Sequence, residues 1–131
     1  MISAADLKKI RHYLDKSQNP LFLFDDDNDG LCSFLLLRKF AQKGEGLQIK
    51  INPEITAISL NLVKNHNPDY IFILDKPLVS QDFIDGANVP IIWIDHHPPV
   101  KRNKVKYFNP LLKGDKGTST TYWCYKAVNG S

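Results

Sequence analysis

Cysteine is scarce in this chain of 131 residues: Cys32 and Cys124 are the only two, with neither CxxC spacing nor histidine neighbours. That excludes a disulfide framework and a cysteine-type zinc site. Both thiols fall in segments that read as amphipathic helices, so they are expected to be reduced and buried in an intracellular protein. Long hydrophobic runs are missing too. No apolar stretch reaches about 18 residues, and the opening MISAADLKKI carries charges where a signal peptide would be apolar. A cytoplasmic location without membrane insertion is the expectation. Repeats and low-complexity tracts are absent. The excess of 17 Lys and Arg over 14 Asp and Glu is only +3, which permits a polyanionic partner without establishing one. With 43% hydrophobic and 24% charged residues, the composition fits one globular domain with a real core.

Acidic residues are few, yet Asp25, Asp26, Asp27 and Asp29 crowd into the single stretch DDDNDG after the apolar run PLFLF. The surrounding pattern explains where that stretch sits. Leu7, Ile10, Tyr13 and Leu14 predict a packing helix over 3–16 with Ser3 as its N-cap. PLFLF at 20–24 reads as a buried strand, and 31–44 as a helix ended by Gly44. LQIKI at 47–51 predicts a second strand, and 53–66 a helix opened by Pro53. DYIFIL at 69–74 and VPIIWI at 89–94 are further strands, separated by a helical turn in SQDFIDGA. A Pro- and Lys-rich connector comes after residue 95, and STTYWCYKAV predicts a last helix. Strands apolar on both faces and alternating with helices imply an α/β fold, an open and mostly parallel sheet with helices on both faces.

Ligands bind such sheets at the carboxyl ends of the strands. Here the three most apolar strands end in the 25–29 cluster, in Asp75 and in Asp95-His96-His97. So many acids and imidazoles on one edge repel one another, and a multivalent cation offsets that charge. Mixed carboxylate and imidazole donors suit Mn, Fe or Zn, and bridging carboxylates suit two ions about 3.5 to 4 Å apart. Asp25, Asp27 and Asp29 share a side if the chain stays extended, whereas Asp26 and Asn28 point away. Gly30 permits a turn into a helix whose N–H groups could face an anion. A calcium loop is disfavoured because no Glu stands at the twelfth position from Asp25 or Asp27. A CheY-like receiver would lack the paired histidines. Taken singly, each motif is also compatible with a solvated loop, a cap or a polar strand end.

These motifs together resemble the DHH phosphoesterase superfamily, and within it the RecJ-type single-strand exonucleases and their archaeal relatives. Asp27 and Asp29 match the two carboxylates of the first motif, and Asp25 stands where that family usually has His. Asp75 matches the second motif and Asp95, His96 and His97 the third. FNP at 108–110 and GTSTTYW at 117–123 resemble the family's connector and helix after the third motif, so the likeness spans about 20–129. It implies a Rossmann-like DHH domain and a divalent-metal phosphodiesterase acting on single-stranded DNA or RNA. The implied cofactor is Mn2+ in a two-ion site, or Mg2+, which activates a water and steadies the transferring phosphoryl group. Asp25, Asp27, Asp29, Asp75, Asp95 and His96 are then the metal ligands, with Asp75 bridging. Asp95 can alternatively orient an imidazole, and Asp95 and His97 form the catalytic pair, His97 serving the scissile phosphate. Lys76, Lys101, Arg102, Lys104 and Lys106, with Lys113 and Lys116, make a candidate substrate-binding flank. Tyr107 and Phe108 could stack bases, Phe108 more readily belonging to the core. Ser119 and Thr120 read as caps.

The family's fourth motif and its second, DHHA1-type domain have no counterpart within residues 1–131. The expectation is therefore one incomplete DHH-type catalytic domain, best explained as a fragment of a longer protein. Other readings are a non-catalytic replication component associating with GINS, or a DHH phosphatase acting on nanoRNA, cyclic dinucleotides or polyphosphate.

Overall fold

A computed structural model describes residues 4–49, 54–113 and 119–129. Strands β1 (Pro20–Asp25), β2 (Glu45–Ile49), β4 (Tyr70–Leu74), β6 (Ile91–Ile94) and β7 (Lys106–Phe108) form one sheet in the order β2-β1-β4-β6-β7. Every pairing is parallel. A second, two-stranded parallel sheet joins β3 (Glu54–Ile55) to β5 (Leu78–Val79). The helices are α1 (Ala4–Lys16), α2 (Asn28–Ala41), α3 (Leu60–Asn65), α4 (Gln81–Ala87) and α5 (Thr120–Asn129), with 3-10 turns at Ala57–Ser59 and Pro110–Lys113.

Alternation along the strands distributes the core between two layers. Phe22, Phe24, Phe72, Leu74, Ile92 and Ile94 pack against Ile10 and Leu14 of α1, Leu37 of α2, and Trp123 and Ala127 of α5. Their neighbours Leu21, Leu23, Ile71, Ile73, Ile91 and Trp93 face the other way, onto Val63 of α3, Phe83 and Ile84 of α4, and the β3–β5 pair. Successive side chains of a strand point to opposite faces, so a sheet covered on both must be apolar at every position. The unbroken apolar runs in the sequence result from that, and helices on both faces are observed. No helix among the described residues is long and apolar enough to cross a membrane.

Several local expectations are corrected. The helix expected at 31–44 runs from Asn28 to Ala41 and closes at Gln42 in the left-handed conformation (φ 57), its N–H bonded to the Arg38 carbonyl. Gly44 serves the next turn instead, at φ +92, where a Cβ would meet the Pro20 carbonyl oxygen at 2.2 Å. The expected helix at 53–66 is split among β3, the Ala57–Ser59 turn and α3, because Ile55 is fully buried and pairs with Val79. The connector after Asp95 contains a fifth sheet strand, β7. Only Phe108 of that strand is buried, so a three-residue edge strand has too little apolar pattern to be seen in sequence. Cys124 is buried, and burial pushes its thiol up, but Cys32 is exposed. Ser3, Pro53 and Lys116 lie outside the described residues.

Candidate metal centre

The strand order places β1 and β4 side by side with their crossovers leaving in opposite directions, the arrangement that opens a crevice at the carboxyl ends of the strands. Asp25 closes β1, Asp75 follows β4, and Asp95 follows β6. The backbone carries these residues into the crevice. Asp75 takes a left-handed conformation (φ 61) while its N–H donates to the Ile94 carbonyl at 2.9 Å. Asp95 donates likewise to the Phe108 carbonyl at 3.1 Å.

Two sets of potential ligand atoms result, the members of each lying within 4.8 Å of one another. One comprises Asp75, Asp95, His96 and His97, the other Asp25, Asp27 and Asp75. Asp75 belongs to both. Its carboxylate is 1% exposed, its Oδ1 lies 3.0 Å from His96 Nε2, and its Oδ2 is buried without a hydrogen-bond partner among the described residues. Burial, contact with Asp27 and the charges of Asp29 and Asp27 push this carboxyl up to about 9. A buried oxygen with no donor, facing further carboxylates, is a donor set suited to a cation. The residues present therefore fit a divalent metal ion.

Asp95 and His97 form a pair within the first set. Asp95 is fully buried, and its Oδ1 lies 2.6 Å from His97 Nδ1 while its Oδ2 accepts the His97 N–H at 3.1 Å. Burial raises the Asp95 carboxyl, and the contacts with His97 pull against that rise. With Nδ1 committed, Nε2 is the ring nitrogen left to meet a ligand. Asn109 steadies the same residue by donating from Nδ2 to the His97 carbonyl at 2.8 Å and to the Tyr107 hydroxyl at 3.0 Å.

The 25–29 cluster does not stay extended. Asp27 caps α2, its Oδ1 accepting the Gly30 N–H at 2.8 Å, so Asp29 already lies in the first helical turn. Asp29 therefore leaves the side shared by Asp25 and Asp27 and faces the start of α5. It accepts N–H bonds from Thr121 at 2.7 Å and Thr120 at 3.1 Å, and the Thr121 hydroxyl as well. Although burial opposes it, these bonds hold the Asp29 carboxyl below the usual carboxylate range. Asp29 Oδ2 is 3.3 Å from His96 Nε2, beside the first set rather than within it. Gly30 is needed for close approach, since a Cβ there would sit 2.4 Å from the Asp25 carbonyl oxygen.

The basic candidates disperse. Lys76 is fully buried, its Nζ 3.4 Å from Asp25 Oδ1 and 3.2 Å from the Ile49 carbonyl oxygen. Arg102 is tied to the Val79 carbonyl at 2.7 Å and the Lys101 carbonyl at 2.8 Å. Lys104 and Lys106 line a small depression with Pro90 and Ile91, at the amino end of β6 and opposite the carboxylates. Lys101 is exposed. The side chain of Lys113 lies outside the described residues. Tyr107 is stacked on Trp93 at 4.0 Å, and Phe108 is buried. An apolar groove of about 610 Å³ between α2 and α5 is lined by Leu35, Leu36, Tyr122 and Tyr125, and also by Thr121, whose hydroxyl bonds to Asp29.

Sequence reasoning missed the network beneath the acids. Thr120 donates to Asp75 at 3.3 Å in addition to its bond with Asp29, and Asn109 stands out in the sequence only as part of FNP. Nothing in the spacing along the chain signals contacts across about 90 residues. The FNP and STT segments beyond the third motif are the available hint.

No protein-family model matches the sequence, and no curated protein matches it. Solved structures do. A manganese-bound RecJ exonuclease is similar with a TM-score of 0.68 and 15% identity, over 94% of this chain and 37% of that one. RecJ from Thermus thermophilus in complex with Mn2+ gives a TM-score of 0.71 and 15% identity, over 94% of this chain and 20% of that one. This chain thus spans well under half the length of either protein, and what it has in common with them is the RecJ-type α/β fold.

Proposed function

We propose that this chain is the catalytic core of a divalent-metal-dependent phosphodiesterase of the RecJ kind, acting on single-stranded nucleic acid. The observation that carries the reading is Asp75, a buried carboxylate common to two converging ligand sets, with one oxygen lacking any donor among the described residues. The manganese in both similar structures supports Mn2+ as the ion. Nothing in the comparisons supports a GINS-type partner.

In this reading Asp75 and His96 hold the ion, with Asp27 at the open side of the crevice. A divalent ion there supplies Lewis-acid polarisation of a phosphoryl oxygen and lowers the pKa of water. Asp95 fixes the His97 ring, leaving Nε2 for a phosphoryl oxygen. Asp29 does not ligate the ion but orients the start of α5, and through it Thr120, against Asp75. Among the described basic candidates Lys101 is exposed, whereas Lys76 is buried and Lys104 and Lys106 lie at the amino end of β6, so in this reading the strand is held chiefly by the centre itself.

The test is Mn2+ titration calorimetry on the chain alongside hydrolysis of a short end-labelled single strand, with Asp75→Ala and His96→Ala. The expected result is Mn2+ binding and cleavage, both lost in the two variants. Absence of Mn2+ binding by the parent chain would overturn the reading.

A further inference from the structure

Lys76 is an unusual residue to find beside a metal centre. It is among the largest fully buried side chains of the protein, yet its ammonium group lies 3.4 Å from Oδ1 of Asp25, a member of the second ligand set. Burying an ammonium is costly unless an anion accompanies it, and Asp25 with the Ile49 carbonyl provides that company. The carboxylate end of β1, the carbonyl end of β2 and the residue after Asp75 thus meet around one positive charge.

We propose that the Lys76 ammonium serves as a built-in counter-ion that takes the place of a second metal, so that the centre holds one divalent ion. The proposal rests on the metal-dependent reading above and assigns its ion number. A divalent ion on Asp25 Oδ1 would stand about 2.2 Å from that oxygen, and hence no more than about 5.6 Å from the ammonium. Two like charges that close in a half-buried crevice repel strongly. Within the Asp25, Asp27 and Asp75 set, the charge on Asp25 is thus already offset at Oδ1 by Lys76. The Asp75, Asp95, His96 and His97 set keeps two imidazoles as ligands.

Lys76 is on this view a positioning residue rather than a phosphate ligand. At 0% exposure its ammonium has no path to a substrate phosphate without rearrangement of the end of β2.

The experiment counts Mn2+ ions per chain by titration calorimetry and by native mass spectrometry, with no substrate present. The parent chain is expected to bind one ion. Lys76→Gln, which removes the charge and retains a polar end, is expected to bind a second ion at least 10-fold more tightly than the parent does. Because a buried substitution can unfold the chain, Asp25→Asn gives an independent readout: the ion number stays at one if Asp25 answers Lys76, and falls from two to one if Asp25 ligates a metal. Two ions of comparable affinity in the parent chain would overturn this proposal and leave the metal-dependent reading intact. A folded Lys76→Gln with one ion would also overturn it. No ion in the parent chain would overturn both.

Discussion

Thr121 donates its backbone N–H to Asp29 at 2.7 Å and its hydroxyl to the same carboxylate, joining the first turn of α2 to the first turn of α5 across 92 residues. The helix N-terminus and the carboxylate are complementary in charge, and the bonds outweigh the cost of burying Asp29. Removing the hydroxyl leaves that carboxylate underserved. Thr121→Val should therefore destabilise the protein by about 1–2 kcal/mol, seen as a fall in Tm of about 3–6 °C. An unchanged Tm would mean that the α2–α5 packing alone sets the angle of these helices.

Gly30 lies where α2 crosses the end of β1. A Cβ there would approach the Asp25 carbonyl oxygen to 2.4 Å, and the obstacle is backbone, which cannot swing aside. Gly30→Ala is expected to cost about 1–3 kcal/mol in urea unfolding. It should also weaken Mn2+ binding, since the Asp27 cap at the open side of the crevice moves with the strand end. A variant of parent stability and affinity would refute the close approach.

Asp69 anchors the opposite end of the sheet. Its carboxylate accepts the Ser17 hydroxyl and the Gln18 N–H at 2.6 Å each and the Asn19 N–H at 3.0 Å, tying the α1–β1 loop to the entry of β4. Burial works against ionisation, but these donors prevail and hold the carboxyl below its usual value. A folded pKa below the unfolded one means stability that is present above the unfolded value, about 3.9, and lost as pH falls through the folded value. Asp69→Asn should cost about 1 kcal/mol at pH 6 after allowance for solvent screening. The difference in Tm between parent and variant should shrink as pH falls below the unfolded value of about 3.9. A difference independent of pH would show that the charge plays no part.

Asp75 should behave in opposite senses with and without metal. In the metal-free chain it is a buried acid crowded by Asp27 and Asp29, so Asp75→Asn removes a repulsion and should leave stability equal or higher. With Mn2+ at about 100 times its dissociation constant, the parent should gain about 2.7 kcal/mol by mass action and the variant nothing. The order of the two melting temperatures should reverse on adding Mn2+. A parent Tm indifferent to Mn2+ would remove the metal from the account.

What the sequence determined by itself is the class of fold and the edge of the sheet that carries the chemistry. Strands such as Leu21–Phe24 and Ile71–Leu74 are apolar at every position because both faces are covered, and that requirement is written locally, residue by residue. Acids at the ends of such strands must share one edge, so the meeting of Asp25, Asp75 and Asp95 is legible in the residues alone. Partners are another matter, because periodicity states which way a side chain faces and not what it meets. The departure of Asp29 from Asp25 and Asp27 is set by where α2 starts, and that depends on the cap at Asp27 and the fit of Gly30 over β1. The removal of Lys104 and Lys106 to the far edge is the work of β7, whose parallel pairing returns the chain to the amino end of β6 before it runs forward again. The burial of Lys76 depends on two strand ends closing around it. Contacts between segments distant in the chain arise only when the sheet assembles, and the tertiary structure alone decided them.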